Sequence, residues 1–264
     1  MSLADKRLFL LDMDGTLYLD DRLFHRVPEF LSHIRRIGGR YLFLTNNSSR
    51  GVEGYIEKLS RMGIPTGRED YLTSVDAAID HLRRCHPGKR CYVFGTRSFL
   101  SQLREAGIPV TDRLEDGIDI LLCGFDRELT FQKLEDACIL LNRGVTWLAT
   151  NPDWVCPMPH DEVLPDCGSI CALLTASSGV EPTYIGKPNR NMIDVISKMT
   201  GIPNEKICAV GDRLYTDIAV AQNAGAVSVL VLSGETDSEM LAAAPRKPDF
   251  VLPSVKELHD ILKA

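Results

Sequence analysis

Short, uninterrupted apolar runs separated by stretches of helical periodicity constrain this chain more than any other feature. Leu8–Leu11, Tyr41–Leu44, Cys91–Phe94, Ile118–Cys123, Thr146–Ala149, Ile207–Val210, Val227–Leu232 and Phe250–Leu252 are too brief for helices. They also lack the polar alternation of a sheet with one wet face, so they predict strands covered on both faces, as in a parallel sheet. Between them, Pro28–Ile37, Glu53–Met62, Ser98–Ala106, Phe131–Asn142 and Arg190–Met199 predict helices. Gly-Ile-Pro follows three of these, at 63–65, 107–109 and 201–203. Gly suits the left-handed residue that closes a helix, and Pro blocks continuation. Strands alternating with helices through right-handed crossovers predict an α/β fold.

Ligands of open parallel sheets bind beyond the carboxyl ends of the strands, so the polar residues there are read first. Asp12-Met13-Asp14-Gly15-Thr16-Leu17 follows the first run. Two carboxylates two residues apart at a strand end point the same way; a plain Asx turn closed by Gly15 is the bland alternative. Thr45-Asn46-Asn47-Ser48 follows the second strand and reads either as helix capping or as a set of donors for phosphate oxygens. Lys187 stands in Ile185-Gly186-Lys187-Pro188, after another apolar run. Asp212 ends the strand before Arg213-Leu214-Tyr215-Thr216-Asp217, and Asp217 falls near the start of the next helix, where the macrodipole alone would favour it. At one sheet edge these carboxylates would repel one another unless a cation binds. An oxygen-rich site with an anionic substrate favours Mg²⁺ over softer metals.

Composition excludes several classes. The formal net charge of −6 argues against a nucleic-acid surface. No apolar run reaches membrane-spanning length, and the run before Asp12 is too short for a secretion signal, so a cytoplasmic protein is expected. Several of the eight cysteines sit inside apolar runs, as buried reduced thiols do. Cys167 with Cys171, or Cys156 with His160, gives half a zinc site with no second pair at ligand spacing.

In this order, the four segments resemble those of the haloacid dehalogenase superfamily. The resemblance implies a Rossmann-like parallel-sheet core, with Asp12 as nucleophile and Asp14 as general acid–base. It implies Thr45, Asn46 and Gly15 at the phosphate, and Lys187 offsetting charge there. Mg²⁺ would be held by Asp12, Asp212, Asp217 and the main-chain carbonyl of Asp14. The long interval between Thr45 and Lys187 looks like the family's α/β type-II cap, with limits expected near 78 and 180, so that 1–77 and 181–264 form the core. Ala149–Asp153, Leu164–Ser169 and Ile185–Pro188, with Leu17-Tyr18 and the short acidic loop after it, are similar to the NagD-like, p-nitrophenylphosphatase branch. That branch implies hydrolysis of small phosphomonoesters such as sugar phosphates or nucleoside monophosphates, and homodimers through the cap. The segment Asn151–Glu162, with Trp154 and His160, is a candidate lining for the leaving group. A dehalogenase would not need Asp14, and a mutase would carry its cap between the first two motifs. A non-catalytic phosphate-binding or scaffold module of the same fold is the alternative of a different class.

Overall fold

The computed structural model describes residues 3–158 and 162–263; His160 lies outside them. In chain order the elements begin with β1 (Leu8–Leu11), β2 (Tyr18–Leu19), β3 (Arg22–Leu23), α1 (Val27–Arg36), β4 (Arg40–Thr45), α2 (Val52–Arg61), β5 (Tyr71–Thr73) and α3 (Ser74–Cys85). They continue with β6 (Cys91–Phe94), α4 (Arg97–Glu105), β7 (Val110–Thr111), β8 (Ile120–Cys123), α5 (Phe131–Asn142), β9 (Thr146–Ala149), β10 (Val155–Pro157), β11 (Val163–Pro165), α6 (Cys167–Ser178) and β12 (Thr183–Tyr184). The last are α7 (Asn191–Thr200), β13 (Ile207–Gly211), α8 (Ala219–Ala224), β14 (Val227–Val231), α9 (Ser238–Ala243), β15 (Phe250–Leu252) and α10 (Val255–Lys263).

The chain divides into two compact units. One comprises Met1–Thr45, Glu53–Leu72 and Lys187–Ala264; the other comprises Asn46–Val52 and Thr73–Gly186. The division therefore falls elsewhere than 78 and 180. Position 78 lies inside α3, a continuous hydrogen-bonded helix that stays whole with the second unit.

The first unit is built on a six-stranded sheet in the order β15-β14-β13-β1-β4-β5. β1 lies at its centre, with Leu8 opposite Ile207 on one side and Arg40 on the other, both in parallel. All four β1 residues are buried, which is why the run shows no polar alternation. β13 and β4 are likewise buried along their apolar lengths. The second unit carries its own parallel sheet, β12-β9-β8-β6-β7. Its core packs Tyr92, Phe94, Leu121, Trp147 and Leu174 around the buried thiols of Cys123, Cys167 and Cys171. All eight cysteines are free thiols; Cys91, Cys123, Cys167, Cys171 and Cys208 are buried, whereas Cys85, outside any apolar run, is exposed.

The three Gly-Ile-Pro stops behave as their chemistry dictates. Gly63, Gly107 and Gly201 all have positive φ, at 84°, 75° and 70°, within two residues of the ends of α2, α4 and α7. No helix among the described residues is long and apolar enough to cross a membrane.

Candidate active site

The carboxyl ends of β1, β4 and β13 converge on one side chain, Lys187. Its Nζ donates to Asp12 Oδ1 at 2.7 Å, to Asp217 Oδ1 at 2.5 Å and to the Leu44 carbonyl at 3.1 Å. Three donors with three acceptors let an ammonium be almost wholly buried without an orphaned proton. Burial alone would push its pKa down, but the adjoining Asp12 and Asp217 carboxylates outweigh that and hold it above the usual lysine range.

Asp12 reaches this point because its N–H donates to Val210 O at 2.9 Å, which extends the β1–β13 ladder by one residue. The chain then turns sharply. Leu17 N–H donates to Met13 O at 2.8 Å, and Gly15 N–H to Tyr18 O at 2.9 Å. Gly15 holds φ at +81°, and a Cβ there would stand 2.5 Å from Asp212 Oδ2. Only glycine meets both demands. Its N–H, expected to face phosphate, is committed within the turn.

Asp212 is buried directly after β13. Its Oδ2 accepts from Glu235 N–H at 2.7 Å, and Thr16 Oγ1 lies 3.4 Å from its Oδ1. Thr236 Oγ1 donates to its main-chain carbonyl at 2.5 Å. Asp217 is buried in the wide helical turn Leu214–Ile218 that precedes α8, and its Oδ2 accepts from Arg213 N–H at 3.1 Å. Arg213 is itself ion-paired with Glu235 at 2.8 Å.

One carboxylate oxygen from each of Asp12, Asp212 and Asp217 lies within 4.8 Å of the others. The consequence is electrostatic. Burial, then the like charges of Asp217 and Asp212, raise Asp12 well above the usual carboxylate range, with Lys187 opposing. Burial and Asp217 push Asp212 up to about 7. Three carboxylates against one ammonium leave a nominal −2, which one divalent cation would neutralise. Hard carboxylate oxygens are the donors Mg²⁺ prefers, so the residues present fit that ion.

Asp14 is placed differently. It is about half exposed, with Tyr18 Oη 3.3 Å from its Oδ2 and Lys58 Nζ 3.5 Å from its Oδ1. Its carboxylate stands outside the cluster of Asp12, Asp212 and Asp217. Thr45 ends β4 one residue beyond the carbonyl that Lys187 binds, and its Oγ1 is 3.5 Å from Tyr55 Oη. Asn46 belongs to the second unit, where its Nδ2 donates to Asp153 Oδ2 at 2.7 Å and its carbonyl accepts from Ser74 Oγ at 2.7 Å. In the same unit Trp154 is exposed.

Sequence reasoning missed Lys58 beside Asp14 and the Ser233–Thr236 loop beside Asp212, and it read Tyr18 only as part of the branch resemblance, not as a partner of Asp14. The loop had a signal: Ser-Gly-Glu-Thr follows an apolar strand, just as the other site segments do. Lys58 had none, since a lysine on an amphipathic helix is ordinarily part of its solvated face.

Residues 9–109 match the family description "Haloacid dehalogenase-like hydrolase", and residues 184–258 match "HAD-hydrolase-like". Among solved structures, the 4-nitrophenylphosphatase of Thermotoga maritima is 41% identical over 98% of each chain, with a TM-score of 0.92. NagD of E. coli K-12 is 30% identical over 97% of this chain and 98% of its own, with a TM-score of 0.86. The chloroplastic phosphoglycolate phosphatase 1A of Arabidopsis thaliana is 32% identical over 94% of this chain and 75% of its own length. The matched segments run from the first strand into the last helix, and the relatives span nearly the whole chain. This protein therefore belongs to the haloacid dehalogenase-like hydrolases, in the branch that holds NagD and the 4-nitrophenylphosphatases.

Proposed function

We propose that the chain is a Mg²⁺-dependent phosphatase that hydrolyses small phosphomonoesters through an aspartyl-phosphate on Asp12. The observation that carries this reading is the convergence of Asp12, Asp212 and Asp217 on one another beside the fully engaged ammonium of Lys187. A plain turn at Asp12–Gly15 would account for none of it. The names of the relatives support phosphoric monoester hydrolysis, and they differ in leaving group, from 4-nitrophenol to glycolate. The substrate class is therefore the small phosphomonoester: sugar phosphates, nucleoside monophosphates or similar metabolites, with 4-nitrophenyl phosphate as an artificial member.

Asp12, Asp212, Asp217 and the main-chain carbonyl of Asp14 would hold Mg²⁺, whose charge supplies electrostatic stabilisation for an anionic nucleophile meeting an anionic phosphate. Asp12 attacks phosphorus, and the bond from phosphorus to the leaving oxygen breaks as the aspartyl-phosphate bond forms. Asp14 gives its proton to that leaving oxygen. It then takes a proton from the water that attacks the intermediate, which returns Asp12 and releases phosphate. Lys187 keeps Asp12 oriented and balances charge as it moves over the phosphoryl oxygens. Thr45 and Asn46 serve as phosphate donors in this reading. Gly15 contributes the close approach of its backbone to Asp212, its N–H being used inside the turn.

The test is phosphate release from a panel of phosphorylated metabolites with Mg²⁺, run on wild type and Asp12→Asn. Asn cannot form the acyl-phosphate, so turnover is expected to fall by at least about 10³-fold while circular dichroism shows the variant folded. Retained turnover would remove the covalent mechanism.

A further inference from the structure

We propose that Lys58, acting with Tyr18, is a positioning residue that sets the orientation of the Asp14 carboxyl for proton transfer to the leaving group. This rests on the phosphatase reading above. Asp14 is the member of the site most open to solvent, and an exposed aspartate on a turn ordinarily samples several rotamers. Here each of its oxygens faces its own donor, Lys58 Nζ at 3.5 Å on Oδ1 and Tyr18 Oη at 3.3 Å on Oδ2.

Both donors are anchored. The Tyr18 ring is completely buried, and its main chain is tied to the catalytic turn by Gly15 N–H and by a bridge to Asp14. Lys58 rises from α2, keeps only 14% of its side chain exposed and lays its ammonium 3.9 Å above the centre of the Tyr18 ring. Attraction between an ammonium and a ring face holds the lysine over the tyrosine rather than out in water. A lysine serving only helix packing would snorkel its charge to solvent. Both contacts to Asp14 are longer than optimal hydrogen bonds. They steer the carboxyl without locking either oxygen away from a substrate.

The test exploits leaving groups. 4-Nitrophenolate departs without a proton, whereas an alkoxide such as glycerol's needs one. We compare kcat/KM, which reports steps through phosphoryl transfer, for 4-nitrophenyl phosphate and glycerol phosphate in wild type, Lys58→Met, Lys58→Arg and Tyr18→Phe. Methionine keeps the stem and removes the charge. Misorienting a general acid forfeits part of its usual ~10²–10⁴-fold contribution. Lys58→Met is therefore expected to lose about 10-fold or more on the alkyl ester and under about 3-fold on the aryl ester, with Lys58→Arg restoring most of the loss. Tyr18→Phe, which removes one hydroxyl and no packing, should show the same leaving-group bias should Lys58→Met fail to fold. Equal losses on both esters, or none on either, would overturn the positioning role while leaving the phosphatase intact. Full turnover by Asp12→Asn in the same assay would instead bring down the underlying mechanism, and the inference with it.

Discussion

Gly234 and Gly15 show how the site is assembled from what is absent. Both backbones press against the Asp212 carboxylate, and a Cβ at Gly234 would collide with Oδ2. Gly38, by contrast, has φ of +76° and open space, with nothing within 4 Å of the point where a Cβ would stand. The two positions separate conformational cost from contact. Gly38→Ala is expected to cost roughly 1 kcal/mol of stability for its left-handed backbone and to leave turnover unchanged. Gly234→Ala has to displace Asp212 and is expected to lose about 100-fold or more in kcat at a similar stability cost. Urea melts alongside phosphate release distinguish them, and normal turnover in Gly234→Ala would show that Asp212 can move without consequence. The Asp153 carboxylate acts instead through what it accepts. It is buried and accepts from both Asn46 Nδ2 and Asn151 Nδ2, at 2.7 and 2.9 Å. Asp153→Ala would leave two buried amides short of an acceptor, and each loss of this kind costs about 1–3 kcal/mol. Chemical denaturation of the variant reads the sum directly.

Elements carry the part of this molecule that its sequence announces. β1, β4 and β13 were legible because strands buried on both faces leave no polar residue in the run. The first polar residue after each apolar run therefore marks the sheet edge where Asp12, Thr45 and Asp212 stand. α3 and α6 were not legible as elements. α3 begins at the capping box of Thr73 and Asp76 immediately after β5, so no loop separates strand from helix. α6 is apolar almost all round, which erases the periodicity that reveals a helix. The packing of α10 on α1 was beyond reach for a different reason, since two distant amphipathic helices do not name each other. It buries His33 and His259 with their rings 5.2 Å apart. Arginine can only donate, so Arg36 at 2.6 Å makes His33 Nδ1 the acceptor and leaves Nε2–H to bond Leu262 O at 3.1 Å. Burial, then the charge of Lys263, holds His259 below the usual imidazole range. The neutral ring is thus the folded form, whereas the unfolded chain takes up a proton near pH 6.5. Its contribution is complete above that pH and is lost as pH falls through it toward the folded value. His259→Phe should accordingly flatten the decline in melting temperature between about pH 7.5 and 5.5. An unchanged slope would assign the acid sensitivity elsewhere.

At the scale of the whole molecule, a chain of net charge −6 handles an anionic substrate, so the attraction has to be local. Lys187 supplies one positive charge to three clustered carboxylates, and burial, together with the uncompensated like charge, displaces Asp12 and Asp212 upward. That displacement has a sign in stability. An aspartate near 3.9 in the unfolded chain and about 7 in the fold binds its proton more tightly when folded. Its stabilising contribution is whole below pH ~3.9 and drains away as pH rises toward 7. A divalent cation on the same oxygens competes with those protons and recovers the loss, so ion and pH act as one linked variable. For protein stripped with chelator, added Mg²⁺ is expected to raise the melting temperature little at about pH 5 and progressively more up to about pH 8. Because two compact units need not melt together, the shift belongs to the transition of the unit that carries Asp12. Scanning calorimetry of wild type and Asp212→Asn, with and without Mg²⁺ at both pH values, measures it. Asn removes the proton and one anionic ligand together, so the variant should be more stable than wild type without the ion at pH 8 and respond weakly to it. A Mg²⁺ shift that ignored pH, or that survived undiminished in Asp212→Asn, would mean the ion binds somewhere other than these carboxylates.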